Sequence, residues 1–147
     1  MKLIEAFPDQ LEDMKQRKVP IVIPIGTIEY QAMQCSSGCD TLCVTGVLDR
    51  IEKEGKEMIV CPPIWYGVAS YAVSGPEKGT IQVDANVFEA YVYQVLKSLL
   101  YGGHKNIYLV VFHQTEGNAL MPMTLACLKA AKMLVFEYLE ETHGKGW

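Results

Sequence analysis

The sequence has no long uninterrupted apolar run, no cluster of basic residues and no apolar leader segment. Half of its 147 residues (50%) are apolar, but no uninterrupted apolar stretch approaches the length of a membrane span. Its first residues include acidic side chains where a signal peptide needs an apolar segment. The 13 Lys and Arg residues are scattered and the net charge is -4, which argues against nucleic acid as the main partner. We therefore expect one soluble, cytoplasmic domain, residues 1–147, with a buried core.

The cysteines do not have the even count of a disulfide framework. They are Cys35, Cys39, Cys43, Cys61 and Cys127. Such an odd, scattered set is typical of a reducing compartment. The first three are spaced by four residues, which on a continuous helix would place three thiols on one face and favour zinc. No fourth ligand follows at finger-like spacing, and residues 36–38 (Ser-Ser-Gly) interrupt such a helix. We therefore expect buried or loop thiols.

Apolar β-branched segments alternate along the chain with segments of helical periodicity. Strands are predicted at residues 21–25, 58–61, 80–83 and 107–112. Helices are predicted at residues 9–17, 41–54, 86–101 and 118–141. This alternation predicts an α/β fold, a three-layer α/β/α sandwich with a mostly parallel sheet. The strands at 21–25, 58–61 and 107–112 should be adjacent in that sheet.

Three side chains with metal-binding chemistry follow strands or open a helix. Glu29 stands just past the strand at 21–25, and Asp40 opens the next helical segment, where a loop returns to a helix N-terminus. His113 follows the strand at 107–112. Open α/β sheets bind ligands at the C-terminal ends of their strands, so the three should lie at one edge. Two oxygens and one imidazole suit Zn²⁺ or Mn²⁺ and leave positions open for water.

Each of these residues also has an ordinary structural interpretation. Glu29 could be a solvated or capping carboxylate, Asp40 only an N-cap, and His113 a half-buried histidine with a satisfied hydrogen bond. We expect His104, in a turn, and His143, in the tail, to be surface residues. The joint occurrence of the first three, at a spacing known from a protein family, is what favours a shared metal.

Residues between positions 20 and 41 follow the motif Gly-Ser/Thr-x-Glu-Gln-His-Gly-Pro-His-Leu-Pro-Leu-Gly-Thr-Asp-Thr after a strand. The chain keeps Gly26, Thr27, Glu29, Gly38, Asp40 and Thr41 without a gap. In this it resembles the creatininase family of metal-dependent amidohydrolases. Gln31 stands at the position of the motif's first His, and residues 32–36 replace its Gly-Pro-His-Leu-Pro core.

Later segments extend the resemblance. Residues 62–67 resemble the family's Pro-Pro-x-x-Tyr-Gly and residues 79–81 its Gly-Thr-Ile, whereas the family's Ser-x-Glu-His and Phe-Pro are missing. When the family's second motif is aligned forward from the turn before the last strand, its metal-binding His falls on His113. When the motif is aligned backward from Asn118, that His falls on Thr115. We prefer His113, because strand register is constrained while loops accept insertions.

The resemblance implies one metal held by Glu29, Asp40 and His113, with Asp40 bridging to a second. The second site would have only Asp40, Gln31 and Glu116, and a neutral amide is a poorer ligand than imidazole. We therefore expect one Zn²⁺ or Mn²⁺ rather than two. Glu116 is the candidate catalytic residue, moving a proton from metal-activated water to the leaving group. The candidate substrate-binding residues are Gln31, Trp65, Tyr66 and Tyr71.

The function that the resemblance implies is hydrolysis of a small cyclic amide, formamide or related polar ring. Family members continue beyond the length of this chain, so we expect a short form or a fragment. The alternative is a non-catalytic, degenerate member that serves as a structural or binding subunit. A nucleotide-binding domain is disfavoured, because no Gly-rich fingerprint follows any strand. Uncovered sheet edges and helix faces favour a homo-oligomer, with apolar faces of the long helices or the aromatic loop at 65–73 buried between subunits. The creatininase family forms ring-like hexamers, which the resemblance implies here as well.

Overall fold

The computed structural model describes residues 1–113 and 121–146. Four helices alternate with three strands: α1 (Pro8–Gln16), β1 (Ile21–Ile25), α2 (Cys39–Lys53), β2 (Ile59–Val60), α3 (Ala85–Tyr101), β3 (Ile107–Val111) and α4 (Pro122–His143). Short 3₁₀ turns add Leu3–Glu5 and Pro76–Lys78. Within these described ranges, no helix has both the length and the apolar content needed to cross a bilayer.

The strands form one parallel sheet in the order β2-β1-β3. Ile21 of β1 pairs with Ile59 on one side and with Ile107 on the other. All five residues of β1 are buried, as a central strand of a sheet covered on both faces requires. The predicted adjacency of the three strands is therefore confirmed.

Helices cover both faces of this sheet, which confirms the α/β/α sandwich. Side chains alternate between the two faces along β1. Ile21 and Ile23 join the larger core, which also contains Phe88 of α3 and Met123 of α4. Val22 points the other way, into a smaller core built on α2. Helices α1, α3 and α4 therefore lie on one face and α2 on the other.

The prediction of a strand at residues 80–83 is wrong. This segment belongs to the long connection between β2 and α3 and pairs with the loop after β1 instead of joining the sheet. The backbone N–H of Ile81 donates to the carbonyl of Ile28 (2.9 Å), and the N–H of Tyr30 donates to Thr80 Oγ1 (3.0 Å). Because that loop is itself irregular, no strand ladder forms.

The structure also tests the ordinary interpretation of Asp40 as an N-cap and the expected exposure of His104 and His143. The N-cap of α2 is Gly38, so Asp40 lies within the first turn of the helix instead of capping it. His104 is 9% exposed, and burial lowers its pKa with a smaller contribution from the charge of Lys15. It is therefore a core-edge residue, whereas His143 is exposed as expected.

Candidate metal centre

Glu29, Asp40 and His113 meet at the C-terminal edge of the sheet. Glu29 follows the central strand β1, and His113 follows its neighbour β3. Asp40 comes from the first turn of α2, which packs near the end of β1. Each of the three side chains offers one ligand atom, and these atoms all lie within 4.8 Å of one another.

The loop between β1 and α2 carries Glu29 back to the start of the helix. The N–H of Glu29 donates to the carbonyl of Ser37 at 2.9 Å, which closes the loop on itself. At its base the backbone passes so close to α2 that a Cβ on Gly26 would lie 2.3 Å from Thr41 Oγ1. Glycine is therefore required there, and this packing brings Glu29 of the loop close to Asp40 of α2.

The distances within the cluster match those between ligands of one small cation. His113 Nδ1 lies 2.8 Å from Asp40 Oδ2 and 3.2 Å from Glu29 Oε1. Two ligand atoms that are each about 2.1 Å from a tetrahedral ion lie about 3.4 Å apart. Small adjustments of the side chains would therefore accommodate one Zn²⁺ or Mn²⁺.

The cluster is buried, and two of its polar atoms have no hydrogen-bond partner among the described residues. The side chains of His113, Glu29 and Asp40 are 5%, 4% and 13% exposed. Among the described residues, Glu29 Oε2 and His113 Nε2 are buried atoms without a hydrogen-bond partner. Buried carboxylates are costly unless a cation or a hydrogen bond compensates them. The donor set and its unpaired oxygen therefore fit a metal ion.

The electrostatics of the cluster lead to the same conclusion. Burial lowers the pKa of His113, but its hydrogen bonds with Asp40 and Glu29, together with their charges, raise it to about 9. At neutral pH the metal-free imidazole is thus protonated between two carboxylates. Metal ligands must lose such protons, so a proton occupies the position that a cation would take.

Gln31 lies inside the cluster, beside the carboxylates. Its Nε2 donates to Glu29 Oε1 at 2.5 Å and approaches Asp40 Oδ1 at 3.4 Å. The amide therefore donates to both carboxylates. On Asp40 it approaches Oδ1, whereas His113 contacts Oδ2.

The other predicted site residues have different positions. Trp65 is partly buried, and its Cζ3 would lie 3.1 Å from a Cβ on Gly38, so it packs against the start of α2. Tyr66 and Tyr71 are 57% and 47% exposed on the long loop. Glu116, the predicted catalytic residue, lies outside the described residues, as does the pair at 117–118.

Sequence reasoning assigned no role to two threonines that are close to Glu29 and Asp40 in the chain. Thr27 and Thr41 are fully buried, and their hydroxyls have no hydrogen-bond partner among the described residues. A Cβ on Gly67 would meet Met123 Sδ at 2.4 Å and the carbonyl of Gly26 at 2.6 Å. The motif-like glycines were the available signal, since each marks a close backbone approach.

Comparison with known proteins identifies the family to which this chain belongs. The profile of a family described as "Creatininase: Creatinine amidohydrolase" matches residues 6–144. The chain belongs to the creatininase family. A search of curated proteins returned no match.

Solved creatininase structures have a similar fold. A tryptophan-to-phenylalanine mutant creatininase shares 18% identity at a TM-score of 0.81, over 97% of this chain and 55% of that one. A structure named "Creatininase Mn" shares 20% identity at a TM-score of 0.79, over 96% and 53%. A mutant creatininase described as "Zn-Zn type" shares 18% at 0.79, over 97% and 54%. This creatininase-family chain thus spans about half the length of the structures it matches.

Proposed function

We propose that this protein is a metal-dependent hydrolase of the creatininase type that binds one Zn²⁺ or Mn²⁺ through Glu29, Asp40 and His113. The observation that carries the proposal is the buried cluster of two carboxylates and one imidazole, with its ligand atoms within 4.8 Å. Membership of the creatininase family supports it. So do the names of two similar structures, one a manganese form and one a zinc form.

The proposed reaction adds water across a C–N bond. When bound, the ion would activate a water molecule and polarise the substrate carbonyl. Glu29, Asp40 and His113 would hold this ion and leave coordination positions open for water and substrate. The water oxygen bonds to the carbonyl carbon, the C–N bond breaks, and the departing nitrogen takes a proton. Glu116 is our candidate for carrying that proton.

The proposed substrates are small polar rings or amides: a cyclic amide, a formamide or a related compound. This proposal rests on the family motif retained around Glu29 and Asp40. The aromatic side chains of Trp65, Tyr66 and Tyr71 and the amide of Gln31 are the candidate substrate contacts. Aromatic rings suit a small ring substrate, since each offers a large apolar surface of defined geometry.

We further propose that the centre holds one ion and not two. The amide of Gln31 already donates to both carboxylates, so it competes with a second cation for the same oxygens. A neutral amide also binds a divalent cation more weakly than an imidazole does. Activity would then depend on a mononuclear centre.

Metal analysis combined with hydrolysis assays tests the proposal. Protein purified without chelator should contain about one Zn²⁺ or Mn²⁺ per chain by elemental mass spectrometry, and it should hydrolyse at least one of creatinine, small cyclic amides and formamides. The variant His113→Ala should lose both metal and activity. His143→Ala is the matched control, because His143 is exposed at the end of α4 and should behave as wild type.

The alternative is a non-catalytic subunit of an oligomer, and one observation favours it. Helix α4 exposes apolar side chains, among them Leu128 (53%), Met133 (54%) and Val135 (50%). Such a surface is typical of an interface. We propose a cytoplasmic homo-oligomer, a hexamer by family resemblance. Size exclusion with light scattering measures the oligomeric state. Protein that is metal-free, has no hydrolytic activity and elutes as an oligomer would support the structural subunit. A monomer would contradict the proposed oligomer for the enzyme and for the subunit alike.

A further inference from the structure

The backbone of Glu29 is held in place although it lies in an irregular loop. Both polar groups of the peptide unit that precedes it are hydrogen-bonded. The carbonyl of Ile28 accepts from the N–H of Ile81 at 2.9 Å, and the N–H of Glu29 donates to the carbonyl of Ser37 at 2.9 Å. Because a peptide unit is planar, these two bonds fix the orientation of the whole unit.

The peptide unit that follows Glu29 is held by a side chain, that of Thr80. The N–H of Tyr30 donates to Thr80 Oγ1 at 3.0 Å, although 50 positions separate the two residues in the chain. Thr80 is only 4% exposed, and a buried N–H that loses its acceptor is costly. Two fixed peptide planes determine φ and ψ of the residue between them. The direction in which the Glu29 side chain leaves the backbone therefore depends on the Thr80 hydroxyl.

Thr80 can act as a support because the segment that contains it is anchored elsewhere. The side chain of Gln82 accepts from the N–H of Ser70 at 2.6 Å and donates to the carbonyl of Val83 at 2.8 Å. The N–H of Val83 in turn donates to the carbonyl of Gly67 at 3.2 Å. These bonds tie the segment to the earlier part of the long connection between β2 and α3, so its position does not depend on the metal cluster.

We propose that Thr80 is a positioning residue for the metal ligand Glu29. Its hydroxyl oxygen fixes the peptide plane after Glu29, so the carboxylate already lies beside Asp40 and His113 before an ion binds. Groups that orient metal ligands typically contribute about 10–100-fold to metal affinity. This inference rests on the proposed function, since Thr80 has this role only if Glu29 binds the ion. The N–H of Ile81 could come from any residue except proline, whereas the hydroxyl is specific to the side chain at position 80.

The zinc affinity of Thr80 variants tests the inference. Metal-free protein is titrated with Zn²⁺ alone in competition with a chromophoric chelator, at a temperature at which circular dichroism shows every variant to be folded. Thr80→Val keeps the shape of the side chain but removes the acceptor, and it should bind Zn²⁺ about tenfold more weakly than the wild type. Thr80→Ser keeps the hydroxyl and should retain the wild-type affinity. Thr80→Ala replaces Thr80→Val in the assay if the valine variant does not fold.

Thr142→Val is the matched control. The hydroxyl of Thr142 also bonds to the backbone, donating to the carbonyl of Tyr138 at 2.8 Å, but it is exposed near the end of α4. Its removal should leave the zinc affinity unchanged. Amide hydrogen exchange of the metal-free protein gives a second readout. The N–H of Tyr30 should exchange about tenfold faster in Thr80→Val than in the wild type, because it loses its acceptor.

The outcomes separate this inference from the proposed function. Equal zinc affinities of Thr80→Val and the wild type overturn the inference alone. A loss in Thr80→Ser as large as that in Thr80→Val also overturns it, because the hydroxyl would then not be the cause. Unchanged exchange at Tyr30 would show that the hydroxyl does not hold this peptide unit, with the same consequence. A wild type that binds no Zn²⁺ overturns the proposed function together with this inference.

Discussion

The Nδ1 atom of His113 lies 2.8 Å from Oδ2 of Asp40, although 73 positions separate the two residues along the chain. The contact exists because β1 and β3 are parallel neighbours, so the loops at their C-terminal ends meet. In the metal-free protein it is an ion pair in a nearly dry environment. Removing one member leaves the other buried charges unpaired.

The first prediction concerns the stability of the metal-free protein. In the presence of chelator, His113→Ala should lower the free energy of unfolding by about 3–5 kcal/mol, because Glu29 and Asp40 lose their cationic partner. Urea denaturation followed by circular dichroism measures this. His143→Ala, at an exposed position, should change it by less than about 0.5 kcal/mol. Equal losses in the two variants would show that the buried ion pair contributes nothing.

The second prediction concerns the number of metal ions. Gln31→His should raise the metal content from about one to about two per chain, because imidazole replaces an amide that donates to both carboxylates. Gln34→His is the matched control, since it adds the same imidazole to an exposed position of the same loop and should leave the content at one. Elemental mass spectrometry after dialysis gives the ratio. Two ions in the wild type would contradict a mononuclear centre.

The third prediction concerns the close approach of the β1 loop to α2. Gly26→Ala would place a Cβ 2.3 Å from Thr41 Oγ1 and 2.6 Å from the Thr41 nitrogen. Such overpacking should destabilise the protein by about 1–3 kcal/mol and displace the loop that carries Glu29.

Gly46→Ala is the control with the opposite sign. Gly46 lies inside α2, and a Cβ there meets nothing within 4 Å. Alanine should stabilise the helix by about 0.5–1 kcal/mol, because it loses less backbone entropy than glycine. Thermal unfolding of both variants checks the pair. Similar melting temperatures for the two would mean that the close approach at Gly26 relaxes freely.

The fourth prediction is a pH dependence that originates at His104. Burial, aided by the charge of Lys15, lowers the pKa of this side chain below its ordinary value of 6.5. As pH falls below about 6.5, the unfolded chain takes up a proton that the folded chain does not, so stability declines. The decline should level off once the pH is below the folded pKa.

His104→Leu isolates this contribution. Its free energy of unfolding should fall less than that of the wild type between neutral pH and mildly acidic pH, as measured by urea denaturation with chelator present. Any contribution from His113 is common to both proteins and cancels in the difference. Parallel pH curves for the two proteins would exclude His104 as the source.

The sequence by itself determined the strands of the sheet, the helices that cover it and the side chains of the candidate metal centre. β1 has the predicted bounds, Ile21–Ile25, because five consecutive apolar residues can only be buried in a covered sheet. The bounds of α3 and β3 differ from the predicted ones by a single residue at one end. The retained motif also selected Glu29, Asp40 and His113, since its spacing encodes which loops return to the same edge.

The tertiary structure alone decided what those local patterns become. Residues 80–83 have strand-like composition but bond to an irregular loop, and His104 follows a turn yet is buried beside α1. Aspartate is a residue type that often caps helices, but α2 begins at Cys39 and Asp40 lies in its first turn. The carboxylate of Asp40 contacts His113 instead of capping the helix. The physical reason is common to all three: hydrogen-bond partners and burial come from segments far away in the chain, which local propensity does not contain.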